Sequence, residues 1–226
     1  MQPENSAAPG RPAPVQYAAE PAAAPPGGTL AIGDPGSWAI LAFSATSLLL
    51  GLFNSSAIDA NGSAVIIPVA FVLGGVVQLI AAVLEVVRGN IFGAVVFGSF
   101  GPFWVIYALI ENSYAGKVAI AGAAAKDANA VPSALLAFLI TYAALVFIFM
   151  IAALRTDVVI LTVVVLVEVV IVLLMVGIYG AHPEATKISG IVTIVFAALG
   201  LYRGGADLVA FTFKRPVLPV GHLHAG

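Results

Sequence analysis

Residues 74–104 read GGVVQLIAAVLEVVRGNIFGAVVFGSFGPFW. A single polar turn, Arg88-Gly89-Asn90, separates two apolar stretches. With the residues that continue it, each stretch is long enough for a helix rising ~1.5 Å per residue to cross a hydrocarbon core ~30 Å thick. The segment therefore reads as a membrane hairpin. Gln78 and Glu85 stand seven residues apart, hence on one face of the first helix, with Ala81 and Ala82 between them in a narrow polar stripe. Gly93, Gly98 and Gly101 thin the second helix, and small residues let helix backbones approach closely. Pro102 withholds a backbone donor from Gly98, which predicts a bend or interruption close to Ser99 and Phe100.

The same reading extended along the chain finds six nearly charge-free runs: Ser37 to Phe53, Ser63 to Val87, Ile91 to Ile110, Ser133 to Leu154, Val158 to Tyr179 and Ile188 to Phe211. Hydrophobic residues make up 61% of the 226 and charged residues 9%, with a mean hydropathy of +1.09. The predicted fold class is an all-α polytopic membrane protein with six transmembrane helices per protomer. Residues 35–213 form the membrane domain, and the short connections leave no room for a soluble enzyme module. Residues 1–34, rich in Ala, Pro and Gly, bury too little apolar surface to offset ordering entropy and read as a disordered tail. This stretch lacks the charged start and apolar centre of a secretory signal, so the first span directs insertion. Residues 214–226 form a second short tail.

Six spans put both termini on one side. That side carries Arg11, Arg88, Arg155, Lys214 and Arg215, against Lys117, Lys126 and Lys187 opposite, which favours cytoplasmic termini in a plasma-membrane protein. A net charge of −2 argues against nucleic acid as a partner. The absence of cysteine excludes disulfides, thiolate metal sites and thiol catalysis. His182, His222 and His224 all fall outside the spans, the last two on a Gly/Pro-rich tail, so neither a metal nor a cofactor is expected.

The 74–104 block resembles the acetate/succinate permease family, whose second and third spans carry the pattern GG..Q....LE...GN.FG...F.S.G.FW. The resemblance extends to Phe43 and Asn54 of the first span, Tyr202 and Asp207 of the last, and the tail Leu218-Pro219-Val220-Gly221. It is weakest in the fourth span, where only hydrophobicity agrees. The family opens its first span with a segment like Asn-Pro-Ala-Pro-Leu-Gly-Leu, whereas this chain reads Asp34-Pro35-Gly36-Ser37-Trp38-Ala39-Ile40. Since that segment lies near the cytoplasmic mouth in the family, the departure bears on substrate identity more than on fold.

The resemblance implies a six-helix protomer with its own substrate path, assembled as a hexameric ring. It also implies transport of acetate, succinate and related small carboxylates, either proton-coupled or channel-like. Carried over residue by residue, the family's constriction falls on Phe43, Phe100 and either Leu166 or Val167, and a third-span Phe in place of the usual Tyr makes the waist more apolar. Asn54, Gln78 and Ser99 become candidates for lining the path, since neutral donors hold an anion without neutralising it, and Glu85 and Tyr202 are further candidates. Glu168 and Arg203 have no counterpart in the family pattern. Charges at such depth are costly and face a cavity or each other. Two alternatives stand. A Glu168–Arg203 pair would shut the path when ionised and open it when Glu168 takes a proton, or Arg203 forms a structural pair with Asp207 four residues on.

An intramembrane enzyme is disfavoured because no span holds a His to activate a serine, and no nucleotide or metal motif is present. A retinal protein would need a seventh span and a buried Lys, and the four lysines are placed outside the predicted spans. A non-transporting membrane scaffold or sensor remains the alternative, since hydropathy fits it equally.

Overall fold

The computed structural model describes residues 32–221 and 223. Six helices are long and apolar enough to cross a membrane: α1 (Gly36–Asn54), α2 (Ala60–Arg88), α3 (Ile91–Ala125), α4 (Ala130–Ala153), α5 (Val158–Ile178) and α6 (Pro183–Phe213). Residues 1–31, most of the stretch read as a disordered tail, lie outside the described residues, as do His222 and His224. The starts of two helices are fixed by side chains. Asn90 accepts from the Gly93 N–H at 3.2 Å to open α3, and Asp157 accepts from the Ile160 N–H at 2.9 Å to open α5. Between α2 and α3 the chain reverses through Gly89, whose φ of +79° is readily available only without a Cβ.

Three sequence expectations need correction. The α3 helix runs on to Ala125 rather than stopping at Ile110, and α6 begins at Pro183, five residues before the predicted Ile188. Lys117 and Lys187 consequently lie inside helices, near their ends, and only Lys126 and Lys214 fall outside them. Polar residues end an apolar run without ending a helix, and the Ala-rich stretch after Tyr114 favours continuation. Pro102 does not interrupt α3, which is α-helical from Ile91 to Leu109. Near the proline the Ser99 carbonyl accepts the Tyr142 hydroxyl of α4 at 3.4 Å, a neighbouring helix re-satisfying backbone in apolar surroundings. The departures from α geometry lie elsewhere, as π-helical turns at Ala70–Val77 in α2 and Ile110–Tyr114 in α3.

The helices close a ring. In it α1 packs on α6, α6 on α5, α5 on α4, α4 on α3, α3 on α2, and α2 back on α1. The starts of α1, α3 and α5 and the ends of α2, α4 and α6 share the terminus side; the other ends form the far side. Backbone approach is close at two seams. A Cβ on Gly190 of α6 would lie 2.6 Å from the Asn54 carbonyl carbon, and one on Gly74 of α2 would lie 2.6 Å from the Trp104 ring. The glycines at GxxxG spacing largely serve the protomer itself. Gly200 and Gly204 face Ser44, Ile40 and Leu41 of α1, and Gly93 faces Asn90 and Glu85, whereas Gly89, in the turn before Gly93, has open space beside it.

The tail beyond α6 folds back over the terminus side. Tyr202 donates to the Pro219 carbonyl at 2.7 Å, Val158 N–H to Gly221 O at 2.8 Å, and Leu223 N–H to Thr156 O at 3.2 Å.

Candidate functional site

A file of cavities runs along the inside of the ring, and α3 is its spine. Nearest the terminus side is a cavity of about 50 Å³ bounded by Ile40, Gln78, Phe92, Phe97 and Ile160 and, at its inner end, by Phe43, Phe100 and Val167. Those last three residues also bound a second cavity of about 50 Å³, together with Ser47, Thr193 and Phe196. Leu50, Phe103, Leu139 and Leu174 join it to a third of about 150 Å³, which holds Asn54, Tyr107, Glu111 and Thr186. Through Asn54, Ile178 and Thr186 the third opens into a surface recess of about 560 Å³ that carries Glu184 and Lys187. Successive cavities thus share walls from one side of the bundle to the other.

The waist is built from aromatic contact. The Phe43 and Phe100 rings lie 5.0 Å apart, with Phe196 stacked on Phe43 at 5.8 Å and Phe149 edge-on to Phe100 at 6.0 Å. Phe43, Phe100 and Val167 are each less than a tenth exposed. Of the two α5 candidates, Val167 borders both cavities at the waist, whereas Leu166 packs against the core and borders neither.

Gln78 lines the terminus-side cavity and is wholly buried. Its amide N–H donates to the Gly74 carbonyl at 2.5 Å, and a carbonyl can only accept, so the amide is fixed with Oε1 unpartnered. One of its two N–H donors is therefore already engaged, and the acceptor oxygen is left without a partner. The Ser47 hydroxyl beside the waist is likewise buried and unpartnered, and either donates or accepts.

Glu85 is wholly buried at the terminus-side end, further along the face that carries Gln78, with Oε2 on Arg88 at 3.2 Å and Oε1 without a partner. Arg88 reaches on to Asp34 at 2.7 Å, which ties the segment before α1 to the end of α2. Gly36 and Gly93 make room for the carboxyl, since a Cβ on either would lie about 3 Å from Glu85 Oε1. The altered first-span segment is thus bound directly to the polar stripe.

The remaining predicted residues lie apart from the cavities. Ser99 offers its backbone carbonyl to Tyr142, and Tyr202 sits on the outer face holding the tail. Arg203 does not pair with Glu168. It bonds Asp157 at 2.8 Å and also Asp207, beside the start of α5. Asp157 precedes Glu168 by eleven residues, about 16 Å of helix. The Glu168 carboxyl has an oxygen without a partner and borders none of the cavities. Five polar residues lining the three inner cavities were missed from sequence: Ser47, Tyr107, Glu111, Thr186 and Thr193. Glu111 lay one residue past the predicted end of its span, while Ser47, Thr186 and Thr193 are of a type common on helix seams.

A profile of the GPR1/FUN34/yaaH family matches residues 16–223. An uncharacterized protein of Methanothermobacter thermautotrophicus is 31% identical over 189 residues, 82% of this chain and 90% of its own length. The succinate-acetate/proton symporter SatP of Escherichia coli K12 is 26% identical over 201 residues, 87% of this chain and 100% of its own. The structure of the bacterial acetate channel SatP superposes with a TM-score of 0.72 at 22% identity, covering 84% of this chain and 99% of that one. That likeness shows the fold.

Proposed function

Because the chain belongs to the GPR1/FUN34/yaaH family and encloses a file of cavities within one protomer, we propose that it moves acetate and related small carboxylates, succinate among them, across a membrane. The observation that carries this reading is the run of shared walls from the terminus side, past Phe43, Phe100 and Val167, to the far-side recess. The waist acts by dewetting: apolar rings 5.0 Å apart exclude water and ions until they move. The unpartnered Ser47 hydroxyl and the polar groups of the third cavity then meet the carboxylate on the far side of the waist. That a symporter is among its relatives supports proton linkage.

The protein is a multi-pass membrane protein. We further propose a plasma-membrane location with cytoplasmic termini, supported by Arg88, Arg155, Lys214 and Arg215 on the terminus side against three lysines opposite. Assembly as a homo-oligomeric ring, a hexamer, is supported by the family resemblance.

The test is radiolabelled influx into liposomes carrying the purified protein, comparing acetate with succinate, formate, lactate and urea. Acetate influx well above that of protein-free liposomes is expected. Rates equal to protein-free liposomes for every solute would leave a scaffold or sensor as the better account.

A further inference from the structure

The third cavity is bordered by Glu111, itself an exposed residue and the one carboxylate that lines any of the three inner cavities of the file among the described residues. It stands in the π-helical turn Ile110–Tyr114, on the α3 stripe that also supplies Phe100, Phe103 and Tyr107 to the path. Such turns recur at functional sites, where they re-aim side chains. No cation within ion-pairing distance neutralises Glu111 among the described residues. An ionised carboxylate there opposes any carboxylate substrate that enters from the far side.

We propose that Glu111 is the proton donor of the path, delivering its proton to the entering carboxylate so that the undissociated acid crosses the waist. This rests on the transport reading. The step is balanced: the Glu111 O–H bond breaks, an O–H bond forms on the substrate, and Glu111 is left as a carboxylate. The far-side solution then supplies the next proton.

Three features agree with a neutral passenger. Phe43, Phe100 and Val167 offer nothing to solvate an anion. Gln78, past the waist, presents an unpartnered acceptor oxygen, which suits the O–H of an acid. No Lys, Arg or His borders either cavity at the waist.

The titratable groups around Glu111 are few. Tyr107 of its own helix shares the cavity, and Glu184 and Lys187 of α6 stand in the adjoining recess. From α1, α4 and α5 the cavity receives Asn54, Leu135 and Ile178 among others, none of which titrates. Lys117, further along α3, is turned onto the Tyr114 ring at 4.8 Å. Protonation of the cavity is thus governed by Glu111 itself, with Lys187 drawing anions to the recess.

The experiment is acetate influx against external pH for the full chain in liposomes, with internal pH followed by a trapped dye, for the wild type, Glu111→Gln, Glu111→Asp and Glu111→Ala after matched reconstitution. Glu111→Gln should keep near wild-type influx at mildly acidic pH, where solution supplies the acid, and lose about tenfold at neutral pH, a change equivalent to one unit of protonation equilibrium. Glu111→Asp should restore the wild-type profile in part. A Glu111→Gln profile parallel to the wild type at all pH values, whether equal in rate or uniformly reduced, would overturn the proposal. So would wild-type acetate entry without internal acidification. Absence of influx in the wild type would instead remove the transport reading itself.

Discussion

The two halves of the path are built on opposite terms. On the terminus side and at the waist the cavities are small and apolar, with rings in contact and few polar side chains, Gln78, Ser47 and Thr193, on their walls. On the far side the path widens to about 150 Å³ and then to a recess of about 560 Å³, with Asn54, Tyr107, Glu111 and Thr186 on the wall. One half is arranged to exclude water, the other to receive a solvated carboxylate and strip it. The same helix, α3, serves both, passing from Phe92 and Phe100 to Tyr107 and Glu111. Polarity changes along it where α geometry gives way to the π turn.

The strongest way to break this contrast is to wet the dry half. Replacing Phe43 and Phe100 together by Ala should lower the barrier at the waist by roughly 1.4 kcal/mol or more, about tenfold in influx, and reduce discrimination between acetate and succinate. Each truncation also costs about 3–5 kcal/mol of stability, so a folded sample must be shown by size-exclusion chromatography before the rates are compared. Unchanged rates in a folded double variant would remove the waist from the mechanism.

The converse is to fill it. Val167→Trp places an indole where both waist cavities meet, and should cut acetate influx about tenfold or more while overpacking costs about 1–3 kcal/mol. A thermally stable variant with wild-type influx would contradict the placement of the path.

Arg203→Gln probes the terminus-side clamp instead of the path. Asp157 is almost wholly buried and also caps α5, so removing its partner should destabilise the protein by about 3 kcal/mol, read as a fall in melting temperature. The pH profile of influx should be unchanged, because no member of that cluster borders a cavity. The smallest effect belongs to Glu168→Gln, which should match the wild type in both rate and pH profile. An altered profile there would return Glu168 to the mechanism.

The six spans were legible because an apolar run of this length is far longer than a soluble core needs and matches the thickness of a bilayer, but their ends were not. Glu111, Asn112, Ser113 and Lys117 terminate the hydropathy of the third run while the helix continues to Ala125. The acid of the far-side cavity was hidden by that mistaken edge. The waist aromatics were readable only through family resemblance, since Phe at such positions is equally a core residue. The choice of Val167 over Leu166 needed the helix's rotation about its axis, which adjacent positions in a uniformly apolar helix do not reveal. Arg203 could be paired with Asp207 from spacing alone, whereas Asp157 carried only the weaker signal of an Asp standing just before a helix.

The chain contains no cysteine, so a single introduced thiol reports on one position without background. Asn54→Cys places that thiol at the junction of the third cavity and the recess, and Ala128→Cys places it in the exposed turn between α3 and α4, away from the file. Acetate influx should be measured for both after complete reaction with an anionic thiol reagent. A path through the protomer predicts that labelled Asn54→Cys loses acetate influx while labelled Ala128→Cys keeps it. Fully labelled Asn54→Cys protein that carries acetate at its unlabelled rate would contradict such a path.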